Sequence, residues 1–558
     1  MSDPNTTAVR PVPRVGFATI VLGLIVLGIL RWAYACYKWN QKYKLPARVP
    51  GIPILGNSLQ VPAVQQGPWA KDLAAKYGEM YVGVPFPSLP SREDVELKHK
   101  RNRFTCQFGG STWVFLNSSR VVKDLLEKRA AIYNSRPPFP MTQDIISRGG
   151  RIVLMPYGER WRLVRRVMHQ ILSVTNQPMF QPFQDLESRQ LFWDYLHKPD
   201  RWFAANGRYA NSVIMSVVFG RRSLLDDPDV AELFETIELF LAEQQPGGES
   251  GGCVPGAGEL APVLAVVAAA GRSGFSRRPS SRQTGTTNPR RYEAKMLRGE
   301  FLASKEITQM DEVTKLFVFG SLMEAGSDTS RVTLGQIIAG AITYPDWVTR
   351  AREQLDRVCG AHAERLPGWD DRPRLPYITA VVKEGFRWRP NIAEIGAPTV
   401  LIKDDEYEGS RFPKGTVFTW NAWAIALSPD EYEQPERFWP DRFLNEDLEN
   451  ALKGHGAFGP GMVLRNHCRK QLHFPANQMT GRRVCAGWKV GETNVWIAIA
   501  RLLYCFDFHP VPGQPIDTMR IPQLAGNAAS FAARVSVRSP AHAELIRREC
   551  AEAVKTQY

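Results

Sequence analysis

The longest apolar run in the chain is Val15–Leu30, closed by Arg31 and followed by Trp32, Tyr34 and Tyr37. Extended to Tyr37, it is long enough to cross a bilayer if Arg31 reaches back to the interface, where the aromatic rings also sit well. Arg31, Lys38, Lys42, Lys44 and Arg48 outnumber Arg10 and Arg14, which places the downstream chain in the cytosol. No small-x-small cleavage pattern follows, so residues 1–44 read as an uncleaved membrane anchor with its flanks. Prolines 46, 50 and 53 then make 45–57 a stiff, non-helical hinge. Beyond it, the spacing predicts a short amphipathic helix over Trp69–Tyr77 and a strand beginning at Glu79–Val84. Trp113–Leu116 reads as a second strand, and Ser118 or Ser119 can cap the helix after it. Helical patterns recur at Tyr157–Arg166, Tyr209–Phe219, Val230–Glu243, Asp311–Ile342, Val381–Pro390 and Trp488–Leu503. Asp404–Thr416 reads as a small antiparallel sheet turned by Gly409 and Pro413-Lys414-Gly415. The expected fold class is mainly α with small β-sheets, behind an N-terminal transmembrane helix.

Composition narrows the function. With 558 residues, 44% of them hydrophobic, the chain can bury a large core as one catalytic unit over 58–540, followed by a tail at 541–558. The net charge of +14 comes without a basic–aromatic repeat, zinc-finger spacing or nucleic-acid module, so no nucleic acid is expected. The charge suits anionic lipid and an acidic protein partner instead. Eight cysteines are scattered without a C-x-x-C pair, which argues against a disulfide framework.

Candidate chemistry gathers where polar residues interrupt the apolar patterns. Cys485 lies in Thr480-Gly481-Arg482-Arg483-Val484-Cys485-Ala486-Gly487, directly before the apolar helix Trp488–Leu503. Helix N-terminal amides and nearby arginines favour a thiolate, a soft metal ligand; a cysteine there also serves as a buried packing residue. In the long helix, Glu324-Ala325-Gly326-Ser327-Asp328-Thr329-Ser330 places acid and hydroxyl groups where burial is costly unless they are paired or functional. Thr329 can return its hydroxyl to a backbone carbonyl, and Gly326 leaves room for a ligand; a kink with a satisfied acid is the plainer reading. Trp161 and Arg165 share a helix face, as do Glu384 and Arg387, which can form a charge-assisted pair.

In order along the chain stand the anchor, the proline segment, Trp161 with Arg165, Ala325-Gly326 with Asp328-Thr329, Glu384 with Arg387, Pro435-Glu436-Arg437-Phe438, and Gly481, Arg483, Cys485 and Gly487. In this order the sequence resembles the cytochrome P450 proteins, and its phrasing is similar to their fungal membrane-bound branch. The resemblance implies heme b with iron ligated by the Cys485 thiolate and a propionate contacted by Trp161, Arg165 and Arg483. It further implies that Asp328 and Thr329 relay protons across a groove at Ala325-Gly326. Glu384, Arg387 and Arg437 would form a network that fixes the loop behind the heme. Thr399 stands where the family commonly has a histidine or arginine that holds a propionate.

Three stretches interrupt the pattern. His455-Gly456-Ala457-Phe458-Gly459 looks like the missing front of the heme motif. Without Pro460–Met479 it would read F-G-T-G-R-R-V-C-A-G, with Phe458 leading. Removing Val84–Gln107 likewise joins Tyr81-Val82-Gly83 to Phe108-Gly109-Gly110. The inserts 84–107 and 460–479, and part of 246–291, are expected to be retained introns; the alternative is a family member with real surface insertions. The implied activity is hydroxylation, epoxidation or desaturation of a hydrophobic small molecule in fungal secondary-metabolite biosynthesis. Electrons would come from NADPH through NADPH-cytochrome P450 reductase, with cytochrome b5 as an optional second donor. The expected location is the endoplasmic reticulum membrane, single-pass, with the catalytic domain facing the cytosol. The alternatives are a non-catalytic, membrane-anchored relative disabled by the insert in the cysteine loop, and a dioxygen-independent isomerase or dehydratase on the same fold.

Overall fold

A computed structural model describes residues 17–46, 49–52, 56–62, 65–77, 103–108, 111–243, 305–390, 394–460, 483–519 and 529–556. The longer helices, numbered in chain order, are α1 (Phe17–Lys42), α2 (Gln66–Tyr77), α3 (Glu159–Leu172), α4 (Gln177–His197), α5 (Trp202–Phe219) and α6 (Pro228–Glu243). They continue with α7 (Glu312–Thr343), α8 (Asp346–Cys359), α9 (Pro376–Arg387), α10 (Trp488–Cys505) and α11 (Pro540–Lys555). The strands are β1 (Arg103–Phe108), β2 (Ser111–Leu116), β3 (Thr399–Val400), β4 (Asp405–Tyr407), β5 (Ser410–Phe412), β6 (Val417–Trp420), β7 (Phe506–Pro510) and β8 (Ala533–Val537).

The largest sheet runs β1-β2-β6-β3. β1 and β2 are antiparallel, β2 and β6 parallel with Trp113 opposite Val417, and β3 and β6 antiparallel. β4–β5 and β7–β8 form two-stranded sheets. The end of the expected 84–107 insert therefore lies in strand: Arg103–Gln107 pairs with Thr112–Leu116. Residues 84–102, 246–291 and 461–479 of the three inserts lie outside the described residues.

Local chemistry explains where the long helices begin and end. Asp311 caps α7, its carboxylate accepting the Thr314 amide at 2.8 Å, and Pro345 follows the helix end. Pro376 opens α9 and Pro390 follows it, so both boundaries are set by proline. α10 is buried on every side from Glu492 to Cys505, as expected of a helix apolar all round. Its charged exceptions are paired. Arg501 donates to Pro367 O at 2.8 Å and Ser188 Oγ at 2.5 Å, and Glu492 pairs with Arg372 and Lys489. The main core joins α4, α5, α7, α8, α9 and α10, which fixes α7 against α10.

The expected transmembrane helix takes a different form. α1 is helical across the predicted anchor and exposes Leu22, Leu24, Val26, Leu27 and Leu30. Among the described residues, however, no helix is long and apolar enough to cross a membrane. The C-terminal part of α1 carries Arg31, Lys38, Gln41 and Lys42, which dilutes the apolar run. That end docks on the domain: Tyr43 donates to Asp404 at 3.0 Å, and Lys44 O accepts the Arg411 amide at 2.8 Å.

Candidate active site

The cysteine loop is closed by a backbone hydrogen bond. The Cys485 amide donates to Phe458 O at 2.9 Å, and the Gly459 amide to Gly456 O at 3.0 Å. Gly459 takes φ +82°, a left-handed conformation that favours glycine. Phe458 and Cys485, 27 positions apart in sequence, are thus neighbours in space. Phe458 packs on Phe386 of α9, ring centroids 4.9 Å apart, which seats the loop on the helix carrying Glu384 and Arg387. Gly481 lies outside the described residues.

Cys485 is a free thiol whose side chain remains accessible. Burial pushes its pKa up, while the Gly487 amide hydrogen-bonded to it and the Arg165 charge pull it down. An accessible sulfur within dense protein is what a residue on the wall of an enclosed cleft presents. Gly487 supplies the amide and the N-cap of α10; a Cβ there would only reach ordinary contact, 3.5 Å from Leu172.

Three guanidiniums flank the loop. Arg165 donates to Val484 O and lies over the Trp161 ring, 5.9 Å from its centroid. Arg483 lies over the same ring at 4.5 Å and donates to Asn134 O at 2.8 Å and Met155 O at 2.9 Å. Arg136, absent from the sequence-based set, donates to Val153 O at 2.7 Å, Ala397 O at 2.8 Å and Pro398 O at 2.5 Å. Among the described residues, none of the three pairs with a carboxylate. Burial lowers Arg136 to about 10, and burial with the Arg136 and Arg165 charges lowers Arg483 to about 8. Three cations held near one another by backbone carbonyls and, for Arg165, by His169 Nε2 at 2.9 Å, without a carboxylate among the described residues, form a site for an anionic group, so the residues fit the carboxylates of heme. Thr399 does not contribute, since its hydroxyl donates to Phe418 O at 3.3 Å within the sheet. The signal for Arg136 was a charge between the buried Tyr133 and Phe139, stiffened by Pro137-Pro138.

On α7, Ala325 is exposed, and Thr329 donates its hydroxyl to Ala325 O at 2.7 Å. Asp328 is turned away from this surface into a buried ion pair with Arg331. Glu324 pairs with Arg151. The expected reason for Gly326 needs correction. A Cβ there would lie 2.2 Å from Ile214 Cγ1 of α5, so glycine permits helix packing rather than ligand room.

The network behind the loop also differs from the expected one. Arg387 binds Glu384 through two bonds of 2.7 and 2.8 Å, and the third member is Arg442, 3.2 Å from Glu384 Oε2. The Arg437 side chain instead pairs with Asp346 at the surface and contributes only its carbonyl, which accepts from Arg387 at 3.2 Å. Two Arg-Phe pairs occur in this segment, Arg437-Phe438 and Arg442-Phe443, and only the second arginine is buried beside Glu384.

The comparisons with known proteins agree with this geometry. The sequence matches the cytochrome P450 family over residues 90–246 and 275–530. It is 30% identical to cytochrome P450 monooxygenase yanC of Aspergillus niger, across 96% of this chain and 97% of that protein. It is 31% identical to cytochrome P450 monooxygenase macC of Penicillium terrestre over the same shares. A solved zebra fish cytochrome P450 shares the fold, with TM-score 0.58 and 22% identity over 80% of this chain and 98% of that one. By its fold, its cysteine loop and these relatives, this chain belongs to the cytochrome P450 family.

Proposed function

We propose that the protein is a heme-thiolate monooxygenase that inserts one oxygen atom into a hydrophobic small molecule in fungal secondary metabolism. The observation that carries this reading is Cys485, held by the Phe458 carbonyl and the Gly487 amide beside three carboxylate-free guanidiniums. The heme, when bound, supplies dioxygen activation, with two electrons and two protons sending one oxygen atom to substrate and the other to water.

The chain's own residues support that chemistry. Arg136, Arg165 and Arg483 would hold the propionates and are relieved of mutual repulsion by them. The Gly487 amide is hydrogen-bonded to the sulfur and favours its charged form, and with iron bound it would temper how strongly the sulfur donates. Thr329 holds a proton at Oγ1 beside the exposed Ala325, and its carbonyl bond fixes the direction of the hydroxyl. The buried Glu384–Arg387–Arg442 network holds the α9 surface on which Phe458 rests.

Electrons would come from NADPH through a membrane-bound reductase, with cytochrome b5 as a second donor. The exposed Arg162 and Arg166 of α3, on the helix that carries Arg165, suit an acidic partner. The apolar exposed stretch of α1 would lie in the endoplasmic reticulum membrane with the domain in the cytosol. The retained-intron reading of 84–107, 460–479 and part of 246–291 stands as part of this proposal. It would fail for the cysteine loop if transcripts carried the open frame through 460–479. The activity reading is tested by the reduced carbon-monoxide difference spectrum of the purified protein and of Cys485→Ala. A thiolate-type band at about 450 nm, lost in the variant, supports it. Equal spectra from both proteins would overturn it.

A further inference from the structure

We infer that Glu324, braced by Arg151, selects substrates that carry a hydroxyl group on an otherwise hydrophobic skeleton. The hydroxyl would donate to the carboxylate oxygen that Arg151 leaves open. On α7, Ser321, Ala325 and Thr329 follow one another at four-residue spacing and so share one stripe of the helix. Ala325 is exposed on this stripe, and Ser321 and Thr329 are half-buried. Glu324 borders the stripe, and its Oε2 is paired with Arg151. Its Oε1 has no hydrogen-bond partner among the described residues. The Glu324 side chain is 14% exposed and that of Arg151 2%. The carboxylate therefore keeps a face toward accessible space, with the guanidinium sealed behind it.

Arg151 occupies a built position. Its Nε donates to Ser147 Oγ at 3.3 Å, and its guanidinium lies over the ring of Phe317 of α7, 5.6 Å from the centroid. Gly150 lets the backbone come this close, since a Cβ there would stand 2.5 Å from Phe317 Cδ2. The same segment leads to the cysteine loop. Leu154 donates its amide to Arg151 O at 3.2 Å, and Met155 O accepts from Arg483 at 2.9 Å. Four residues of chain reach at most ~14 Å, so the ion pair lies close to the arginines that fit the heme carboxylates. Met155, Trp161, Leu322 of α7 and Val490 of α10 pack in one cluster with the half-buried Ala486, which joins this side of α7 to the loop. Glu324 thus stands on the wall of the cleft into which Cys485 opens.

The chemistry of the wall sets the class of ligand. Ser321, three residues before Glu324, carries a hydroxyl oxygen without a hydrogen-bond partner among the described residues. Side chains three apart on a helix are neighbours, so one substrate hydroxyl can donate to Glu324 and accept from Ser321. Burial raises the Glu324 pKa, and the Arg151 charge and hydrogen bond work against that rise. An ether has no hydrogen to give the carboxylate, and a fatty acid brings a like charge against it.

This inference deepens the monooxygenase reading and rests on it. The purified heme-loaded protein is titrated at pH 8 with dodecan-1-ol, dodecyl methyl ether and dodecanoic acid, and binding is read from the absorbance shift of the ferric heme. The alcohol should bind the parent roughly tenfold or more tightly than the ether or the acid, the usual worth of one charge-assisted hydrogen bond. R151M/E324L removes both charges together and leaves neither buried alone; it should bind alcohol and ether alike and gain affinity for the acid. S321A disturbs neither charge and should narrow the preference for the alcohol. Equal binding of alcohol and ether by the parent overturns the inference, as does a preference retained in full by both variants. A parent that forms the carbon-monoxide band at about 450 nm but shifts with none of the three probes also overturns it. A parent without that band overturns the monooxygenase reading, and this inference with it.

Discussion

Deleting residues 460–479 should strengthen heme binding, because the cysteine loop already closes on itself without them. The bond from the Cys485 amide to Phe458 O brackets residues 459–484, a ring of 26 residues that falls to six on deletion. Loop-closure entropy scales with the logarithm of ring length, so the shorter ring closes more favourably by about 1.3 kcal/mol, or roughly tenfold. The sulfur's position should change little, since Gly459, Phe458 and the Gly487 amide hold it from the flanks. The assay is a titration of both proteins with limiting heme, read by the reduced carbon-monoxide difference spectrum. The expected result is a thiolate band at about 450 nm that saturates at roughly tenfold lower heme in the deletion form. A band present in the full chain and absent after deletion would refute the reasoning, because 460–479 would then be shaping the ligand loop.

Other outcomes follow from individual contacts. Arg136→Leu should weaken heme retention roughly tenfold or more, the usual worth of one charge-assisted bond, measured by heme transfer to apomyoglobin. Arg442→Leu leaves Glu384 short of a buried partner and should destabilise the protein by about 3 kcal/mol, whereas Arg437→Leu at its exposed pair should cost under about 1 kcal/mol. Chemical denaturation of both variants checks that contrast, and equal losses would return Arg437 to the network. Glu394 accepts the Gly67 amide at 2.6 Å, and burial raises its carboxyl from 4.5 to about 7. Its neutral form is the favoured one in the fold. The stability it contributes is therefore present below pH 4.5 and lost as pH rises to about 7. Glu394→Gln should leave stability near pH 5 little changed and raise it near pH 8 by at most about 3 kcal/mol, measured as a denaturation midpoint against pH.

Much of the site was legible in residue order. Trp161 with Arg165, Glu384 with Arg387, and Thr329 with Ala325 each depend on spacing along one helix, and helical geometry alone brings them together. The long helices were legible too: one was expected to begin at Asp311 and another to end before Pro390, although that second helix starts at Pro376 rather than at Val381. The glycine at 326 was visible, but its reason was not: it makes room for Ile214 of another helix.

What the sequence determined by itself was the helical framework, the cysteine loop before α10 and the family whose motifs occur in that order. Tertiary structure alone decided which arginine completes the Glu384 network, that Arg136 joins Arg165 and Arg483, and that Asp328 spends its charge on Arg331. It also decided that Phe458 meets Cys485 across the intervening segment. The physical reason is the same in each case. Local spacing fixes which side chains share a helix face, whereas the partner of a buried charge or amide is set by which distant backbone the packed core brings within hydrogen-bond reach.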